Sequence, residues 1–207
     1  LREAGFAVSQ PALPGHGKRP EDLKGVRWQD WLSTAREAYA ALGEPRGVVG
    51  LSMGALLAAH LAAEMPTQAL VALAPALALK SPLAPLAPLL AWLIPRFPGP
   101  DSIQDPELKK QNPNYPHFPT RAVLELLALM QRTPEALPKV KAPALVVEAG
   151  KDRVVRGVRR YYELLGSQRK AYLVFPESGH DLLLDRDRER VAQAVRDWFI
   201  ANSNHLR

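Results

Sequence analysis

The chain has 207 residues, of which 47% are apolar and 23% charged, and its formal net charge is +6. This composition indicates one globular domain with a sizeable core, and it excludes a disordered chain. Because the sequence contains no cysteine, disulfides, thiolate catalysis and cysteine-ligated metal sites are excluded as well.

The positive charge does not predict a nucleic-acid partner. The basic clusters, K-D-R-V-V-R-G-V-R-R at 151–160 and D-R-D-R-E-R at 185–190, are interleaved with acidic or apolar residues. Such interleaving is typical of a solvated, salt-bridged surface. The sequence also shows neither zinc-finger spacing nor the aromatic and basic signature of RNA-binding domains.

No part of the sequence predicts stable membrane insertion. The longest apolar stretch, residues 82–95, is interrupted by prolines and too short to span a bilayer. The first residues, L-R-E, lack the charged start and the apolar core of a signal peptide. We take the cytoplasm as the default compartment.

Short apolar runs alternate with helical patterns along most of the chain. The runs predict strands at 6–9, 47–51, 69–73, 144–148 and 171–175. The helical patterns predict helices at 28–42, 53–65, 156–165 and 186–200. Continuous apolar strands separated by helices form parallel sheets that are covered on both faces, so the sequence predicts an α/β fold.

One segment breaks this alternation. Residues 77–138 are dense in proline and lack strand signals, with a single predicted helix at 120–131. The segment is too apolar to remain solvated as a linker, and it therefore predicts a cap, or lid, inserted between two strands. Residues 1–76 and 139–207 are then the core.

The pentapeptide G-L-S-M-G, residues 50–54, lies between a predicted strand and a predicted helix. A serine between two glycines in this context is typical of a nucleophile elbow, a sharp turn that exposes the serine hydroxyl. The backbone N–H of Met53 would then face a developing oxyanion, helped by the helix N-terminus. The alternative is that Ser52 merely caps the helix.

A serine nucleophile needs a base, and the chain offers five histidines. His180, in F-P-E-S-G-H, follows a predicted strand at its carboxyl end, where open α/β sheets build their sites. The others have structural explanations: His16 lies in a tight loop, His60 on a helix, His117 in the predicted cap and His205 near the terminus.

Asp152 is the acid that we expect to orient the imidazole of His180. It follows the predicted strand 144–148, again at a carboxyl end, although a turn or helix-capping role is the alternative. Asp181 is a weaker candidate, because it comes from the same loop as His180.

These motifs resemble the α/β-hydrolase superfamily, and within it the bacterial carboxylesterases and monoacylglycerol lipases (the lysophospholipase-like group). The resemblance rests on G-F-A-V-S-Q-P-A-L-P-G-H-G-K, G-L-S-M-G, A-P-A-L-V-V-E-A-G-K-D-R-V-V and E-S-G-H-D-L-L-L-D, while P-D-S-I-Q-D-P-E-L-K-K is similar to the lipase cap. Ser52, Asp152 and His180 come in the chain order of this fold. The resemblance implies hydrolysis of a small ester or monoglyceride through an acyl-enzyme, without a metal or other cofactor.

The sequence departs from that family at its start. Family members carry an earlier hairpin, a strand and an H-G loop that supplies a second oxyanion N–H. The strand would lie in the sheet between the predicted strands 6–9 and 47–51. We therefore expect the natural protein to extend upstream by roughly two strands. A chain truncated or started late in this way would lose one oxyanion donor, which costs on the order of 10² to 10³ in rate.

Other functions remain open on the sequence alone. The same three residues would serve an acyltransferase, a thioesterase or a C–C bond hydrolase, and a non-catalytic lipid-binding homologue would keep the fold without the chemistry. Dehalogenase and epoxide-hydrolase reactions are excluded, because they need a carboxylate where Ser52 stands. The apolar stretch 83–97 indicates either a medium-length acyl chain as substrate or simple core packing.

Overall fold

The computed structural model describes residues 1–82, 86–90 and 93–203. In chain order the strands are β1 (Val48–Leu51), β2 (Leu70–Leu73), β3 (Ala78–Leu79), β4 (Arg96–Pro98), β5 (His117–Pro119), β6 (Ala144–Ala149), β7 (Val155–Arg156) and β8 (Lys170–Phe175). The α-helices are α1 (Trp28–Ala40), α2 (Met53–Glu64), α3 (Ala87–Leu90), α4 (Pro106–Lys109), α5 (Thr120–Ala136), α6 (Val158–Leu164) and α7 (Arg188–Asn202). In these ranges we find no helix with the length and apolarity needed to cross a bilayer.

Four strands form one parallel sheet in the order β1-β2-β6-β8. They confirm four of the five predicted strands. All four residues of β2 are fully buried, and β6 is buried at every residue except Glu148. Short apolar runs of this kind suit strands that are covered on both faces. Because the strands are parallel, their carboxyl ends meet at the same end of the sheet.

Helices cover both faces of the sheet, and two glycines in and beside β1 show this. Side chains alternate between the faces of a strand, so Gly47 and Gly50 face opposite ways. A Cβ at Gly50 would overlap the first turn of α2, whereas a Cβ at Gly47 would overlap the ring of Phe199 in α7. On the α2 face, α6 is tied to α2 by the Tyr161 hydroxyl, which donates to the carbonyl oxygen of Ala55 at 2.9 Å.

The prediction of a strand at residues 6–9 is wrong. This segment pairs with no strand among the described residues, and a groove of about 620 Å³ separates it from β1. The groove is lined mainly by apolar residues, among them Phe6, Val8, Val49 and Leu57. A strand needs a hydrogen-bonded neighbour as well as an apolar sequence. No described strand lies beside residues 6–9 to supply those backbone hydrogen bonds, so the segment does not form a strand.

The predicted cap segment, residues 77–138, contains more strand than the sequence indicates. β3 pairs antiparallel with β7, and β4 pairs antiparallel with β5. These strands have only two or three residues, which is too short for a periodic signal. Of the apolar stretch 83–97, residues 83–85 and 91–92 lie outside the described residues.

The helix predicted at 120–131 is longer in the structure, where α5 runs to Ala136 and contains Pro134. Proline removes one helical hydrogen bond, which is why the pattern predicts an earlier end. In the turn before it, the Thr133 hydroxyl donates to the carbonyl oxygen of Leu129 at 2.8 Å. The helix continues past Pro134 to Ala136, and the Thr133 bond adds a side-chain contact in the turn before the proline.

The cap segment is held against the loop at residues 14–18 by one tyrosine. The hydroxyl oxygen of Tyr115 accepts hydrogen bonds from the backbone N–H of Gly17 at 2.9 Å and of Lys18 at 3.1 Å. The same hydroxyl donates to the carbonyl oxygen of Gly15 at 3.3 Å. This loop is the P-G-H-G-K stretch of the sequence, so Tyr115 ties the predicted cap segment to that loop.

Candidate active site

Ser52 occupies a strained turn between β1 and α2. Its backbone angles, φ 56° and ψ −116°, are uncommon for a residue with a side chain. Hydrogen bonds hold the turn on both sides: the Ser52 N–H donates to Leu73 at 2.8 Å, and the Ser52 carbonyl accepts from Ala76 at 3.3 Å. The strain is thus kept by the neighbouring strand end, and the hydroxyl is presented at the carboxyl end of β1.

The two glycines that flank Ser52 have different roles. A Cβ at Gly50 would overlap the backbone of Gly54, so only glycine lets the strand and the helix approach this closely. A Cβ at Gly54 would meet no described atom within 4 Å apart from its chain neighbours and the backbone of its own helix. The close approach of the two backbones is the one expected of a nucleophile elbow. Of the two flanking glycines, however, only Gly50 lies where a side chain would clash.

Three of the predicted site residues form one hydrogen-bonded row. The Nε2 atom of His180 lies 2.8 Å from the hydroxyl oxygen of Ser52, and its Nδ1 atom lies 2.8 Å from Oδ2 of Asp152. The three residues follow β1, β6 and β8 respectively in the order Ser52, Asp152, His180. His180 is 4% exposed and Asp152 8% exposed, so the imidazole–carboxylate pair is shielded from water.

Asp152 is organised to face the imidazole as a carboxylate. Its other oxygen, Oδ1, accepts hydrogen bonds from the N–H of Val154 at 2.7 Å and of Val155 at 2.9 Å. Burial acts to raise the pKa of Asp152, but the bond and charge of His180 and these two N–H groups together hold that pKa below its ordinary value. With Asp152 ionised, Nδ1 of His180 donates to it, and Nε2 is free to accept the proton of the Ser52 hydroxyl.

Met53, the predicted oxyanion donor, is the first residue of α2 and directly follows Ser52. The backbone N–H groups of a first helical turn have no acceptor within the helix, and the helix dipole adds positive potential there. The position is therefore suited to hold a negative oxygen next to the serine hydroxyl.

The other described histidines lie in structural settings. Nδ1 of His16 donates to the carbonyl oxygen of Pro14 at 3.2 Å, and burial lowers the pKa of its ring. His60 is buried beside a tryptophan ring, and His117 lies 3.3 Å from Glu21. His205 lies outside the described residues.

Two buried aspartates lie in the stretch that follows His180. The prediction that D-R-D-R-E-R is a solvated surface is wrong for Asp185 and Asp187, which are 0% and 4% exposed. Oδ2 of Asp187 accepts hydrogen bonds at 3.1 Å from both the N–H of Glu177 and the hydroxyl of Ser178. Alternating charges are typical of an exposed surface, and the buried contacts of these aspartates are not visible in the local sequence. The one available signal was the position of the motif shortly after S-G-H.

Asp185 joins the His180 loop to the cap segment. Its Oδ2 accepts from the N–H of Gly179 and of Gln104, both at 2.7 Å. Its Oδ1 accepts from Asp105 at 3.0 Å and from Arg186 at 2.9 Å. Burial acts to raise the pKa of Asp185, but these four backbone N–H groups outweigh it and hold the pKa below the ordinary value.

This lowered pKa makes the stability of the protein sensitive to acid. A carboxyl whose pKa is lower in the folded state stabilises the fold above its unfolded pKa, and that stability is lost as the pH falls through the folded pKa. We expect Asp185→Asn to lower the melting temperature at neutral pH, and the gap to wild type to narrow as the pH falls below about 4. Thermal melts across this pH range measure the gap, and a gap that did not change with pH would contradict the assignment.

Two curated relatives are similar to this chain over most of its length. Over 207 residues the chain is 28% identical to a thermostable monoacylglycerol lipase of Bacillus sp. (strain H-257), covering 95% of this chain and 80% of the relative. It is 25% identical to a carboxylesterase of Bacillus subtilis (strain 168), covering 96% of this chain and 83% of the relative. These two relatives are both named as ester hydrolases.

A solved structure identifies the fold of the chain, and a family model identifies its family. The solved structure, from the metagenome-derived lipolytic enzymes LipS and LipT, superimposes with a TM-score of 0.79 at 25% identity, covering 91% of this chain and 80% of the other. The likeness confirms the α/β-hydrolase fold that the motifs predict. The model of a serine hydrolase family, described as Hydrolase_4: Serine aminopeptidase, S33, matches residues 1–187. The chain therefore belongs to the Hydrolase_4 family.

Proposed function

We propose that the chain hydrolyses small carboxylic esters or monoacylglycerols, with Ser52 as nucleophile, His180 as base and Asp152 as orienting acid. The observation that carries the proposal is the row of two 2.8 Å hydrogen bonds from Asp152 through His180 to Ser52. A neutral imidazole in this position can remove the proton that makes a serine hydroxyl a weak nucleophile.

The reaction follows from these positions in two halves. In the first, Nε2 of His180 takes the proton of Ser52 as its oxygen attacks the ester carbonyl, and the carbonyl oxygen becomes an oxyanion beside the Met53 N–H. When the tetrahedral intermediate collapses, the bond to the alcohol breaks, and the imidazolium gives the proton to the leaving oxygen. The acyl group is then bonded to Ser52.

The second half releases the acid. A water molecule enters where the alcohol left, His180 takes its proton, and the resulting hydroxide oxygen attacks the acyl carbonyl. The second tetrahedral intermediate breaks at the Ser52 oxygen, which recovers the proton from His180. Asp152 stays ionised throughout, because its role is to hold the ring and to stabilise the imidazolium formed in each half.

Esters are favoured as substrates by the two relatives named as a monoacylglycerol lipase and a carboxylesterase. We also propose that residues 77–138 act as the cap over this site. The contact between β3 and β7 supports this, because the ammonium of Lys80, which follows β3, donates to the carbonyl oxygen of Asp152 at 2.6 Å.

A second candidate is amide hydrolysis, which the family description as serine aminopeptidase favours. The same attack would then end with His180 protonating a leaving amine rather than an alcohol. Thioester hydrolysis and acyl transfer would use the same acyl-enzyme with a different leaving group or acceptor.

A substrate panel separates these functions. We expect wild type to cleave p-nitrophenyl esters from acetate to palmitate, together with a monoacylglycerol, faster than an acyl thioester or an aminoacyl p-nitroanilide. Ser52→Ala is expected to lose about 10⁴-fold or more in ester kcat. Full ester hydrolysis by a folded Ser52→Ala variant would contradict the proposal, and preference for the anilide would favour the peptidase.

A further inference from the structure

The reaction above leaves one buried group at the site unexplained. Asp181, the residue directly after His180, is 6% exposed and touches neither Ser52 nor Asp152 through a described hydrogen bond. Its Oδ2 accepts the hydroxyl of Ser102 at 2.6 Å and the side-chain amide of Asn114 at 2.5 Å. The amide of Asn114 also donates to the oxygen of Ser102 at 3.2 Å, which closes a triangle.

Both partners of Asp181 come from the cap segment, and the backbones meet at the same place. The N–H of Asp181 donates to the carbonyl oxygen of Ser102 at 3.1 Å. A Cβ at Gly179 would lie 2.6 Å from that carbonyl oxygen, so glycine is needed for the contact. Ser102 is itself only 1% exposed, and both its hydroxyl and its carbonyl oxygen are paired at this junction.

The junction holds His180 through its two neighbours in the chain. Gly179 packs against the carbonyl oxygen of Ser102, and Asp181 is hydrogen-bonded to Ser102. With its backbone fixed on both sides, the imidazole has little freedom beyond its own side-chain torsions. A displacement of about 1 Å at a reacting group can cost about 100-fold in rate.

We propose that Asp181 is a positioning residue: through its bonds to Ser102 and Asn114, it makes the orientation of His180 depend on the position of the cap segment. The inference rests on the proposed function, because it concerns the base of that reaction. A cap that is displaced at Ser102 and Asn114 releases the loop and misaligns the imidazole, so the site is fully reactive only when the cap is seated.

The test compares four variants with wild type by the rate at which a fluorophosphonate probe labels Ser52 and by kinetics on p-nitrophenyl acetate. Asp181→Ala is expected to lower labelling and kcat by about 10- to 100-fold with little change in KM. Ser102→Ala and Asn114→Ala each remove one donor and are expected to give smaller losses. Asp181→Asn is expected to recover most of the rate, since an amide oxygen can accept both donors.

Tyr39→Phe is the matched control for a general loss of stability. Tyr39 is 4% exposed, and its hydroxyl bonds to Arg46, Pro66 and Thr67, which precede β1 and β2 at the amino end of the sheet. We expect this variant to lower the melting temperature while labelling keeps its wild-type rate, with all rates measured well below each melting temperature.

A second readout does not depend on catalysis. The NMR signals of the His180 ring are expected to shift in Asp181→Ala and to return towards wild type in Asp181→Asn. Wild-type labelling and an unmoved ring in a folded Asp181→Ala variant would overturn the coupling. A wild type that is not labelled would refute the proposed function instead, and the ring signals would still decide the coupling.

Discussion

Replacing His180 with alanine is expected to lower kcat for a p-nitrophenyl ester by about 10⁴- to 10⁶-fold, because the hydroxyl 2.8 Å away then has no base. Asp152→Asn is expected to cost about 10⁴-fold, since an amide can no longer stabilise the imidazolium or fix the tautomer that frees Nε2. Initial rates, corrected for folded protein, measure both effects.

His117→Ala provides the control for this comparison. His117 lies 3.3 Å from Glu21 and has no described hydrogen bond to the row of three residues. The His117 side chain is only partly buried, and its loss leaves every hydrogen bond of the row in place, so we expect activity within about twofold of wild type. Equal losses at His117 and His180 would mean that histidine removal acts through folding rather than through the base.

The second large effect is on stability, and it concerns the glycines of the elbow. Gly50→Ala is expected to destabilise the fold by about 3 kcal/mol or more, because its Cβ would overlap the backbone of Gly54 and force β1 away from α2. Gly54→Ala adds the same methyl group where only its chain neighbours and its own helix backbone lie close, and it is expected to be neutral or stabilising by up to about 1 kcal/mol.

Urea unfolding of the two variants side by side checks this difference. The comparison is matched, because both changes add one methyl group within the same pentapeptide. Similar losses at Gly50 and Gly54 would show that the elbow is not packed as described, and a stable Gly50→Ala variant would contradict the close approach of strand and helix.

The features that the sequence predicts well are those set by local pattern. Continuous apolar runs identify the four strands of the sheet, because a strand buried on both faces has no polar side to alternate with. Ser52 directly follows such a run, and Asp152 and His180 lie in the loops that follow two others. Parallel strands bring these carboxyl ends to the same place, so the three residues could be selected from the sequence. Their meeting therefore depends on topology that the strand–helix alternation already predicts.

The features that the sequence could not predict depend on distant partners. Residues 6–9 have a strand-like composition, but whether they form a strand depends on a neighbouring strand that can hydrogen-bond to them. Asp185 looks like one member of a charged surface run, although four backbone N–H groups, two from the cap segment, bury it. The sequence presents Asp181 only as a candidate acid for its neighbour, because its partners Ser102 and Asn114 lie far away in sequence.

The most direct test of Ser52 as an activated nucleophile is to identify where a fluorophosphonate probe binds covalently, using intact-mass measurement and peptide mapping. We expect a single adduct on the oxygen of Ser52 that is strongly reduced in His180→Ala, because the imidazole activates that oxygen. An unmodified Ser52 in well-folded protein, or equal labelling without the imidazole, would contradict it.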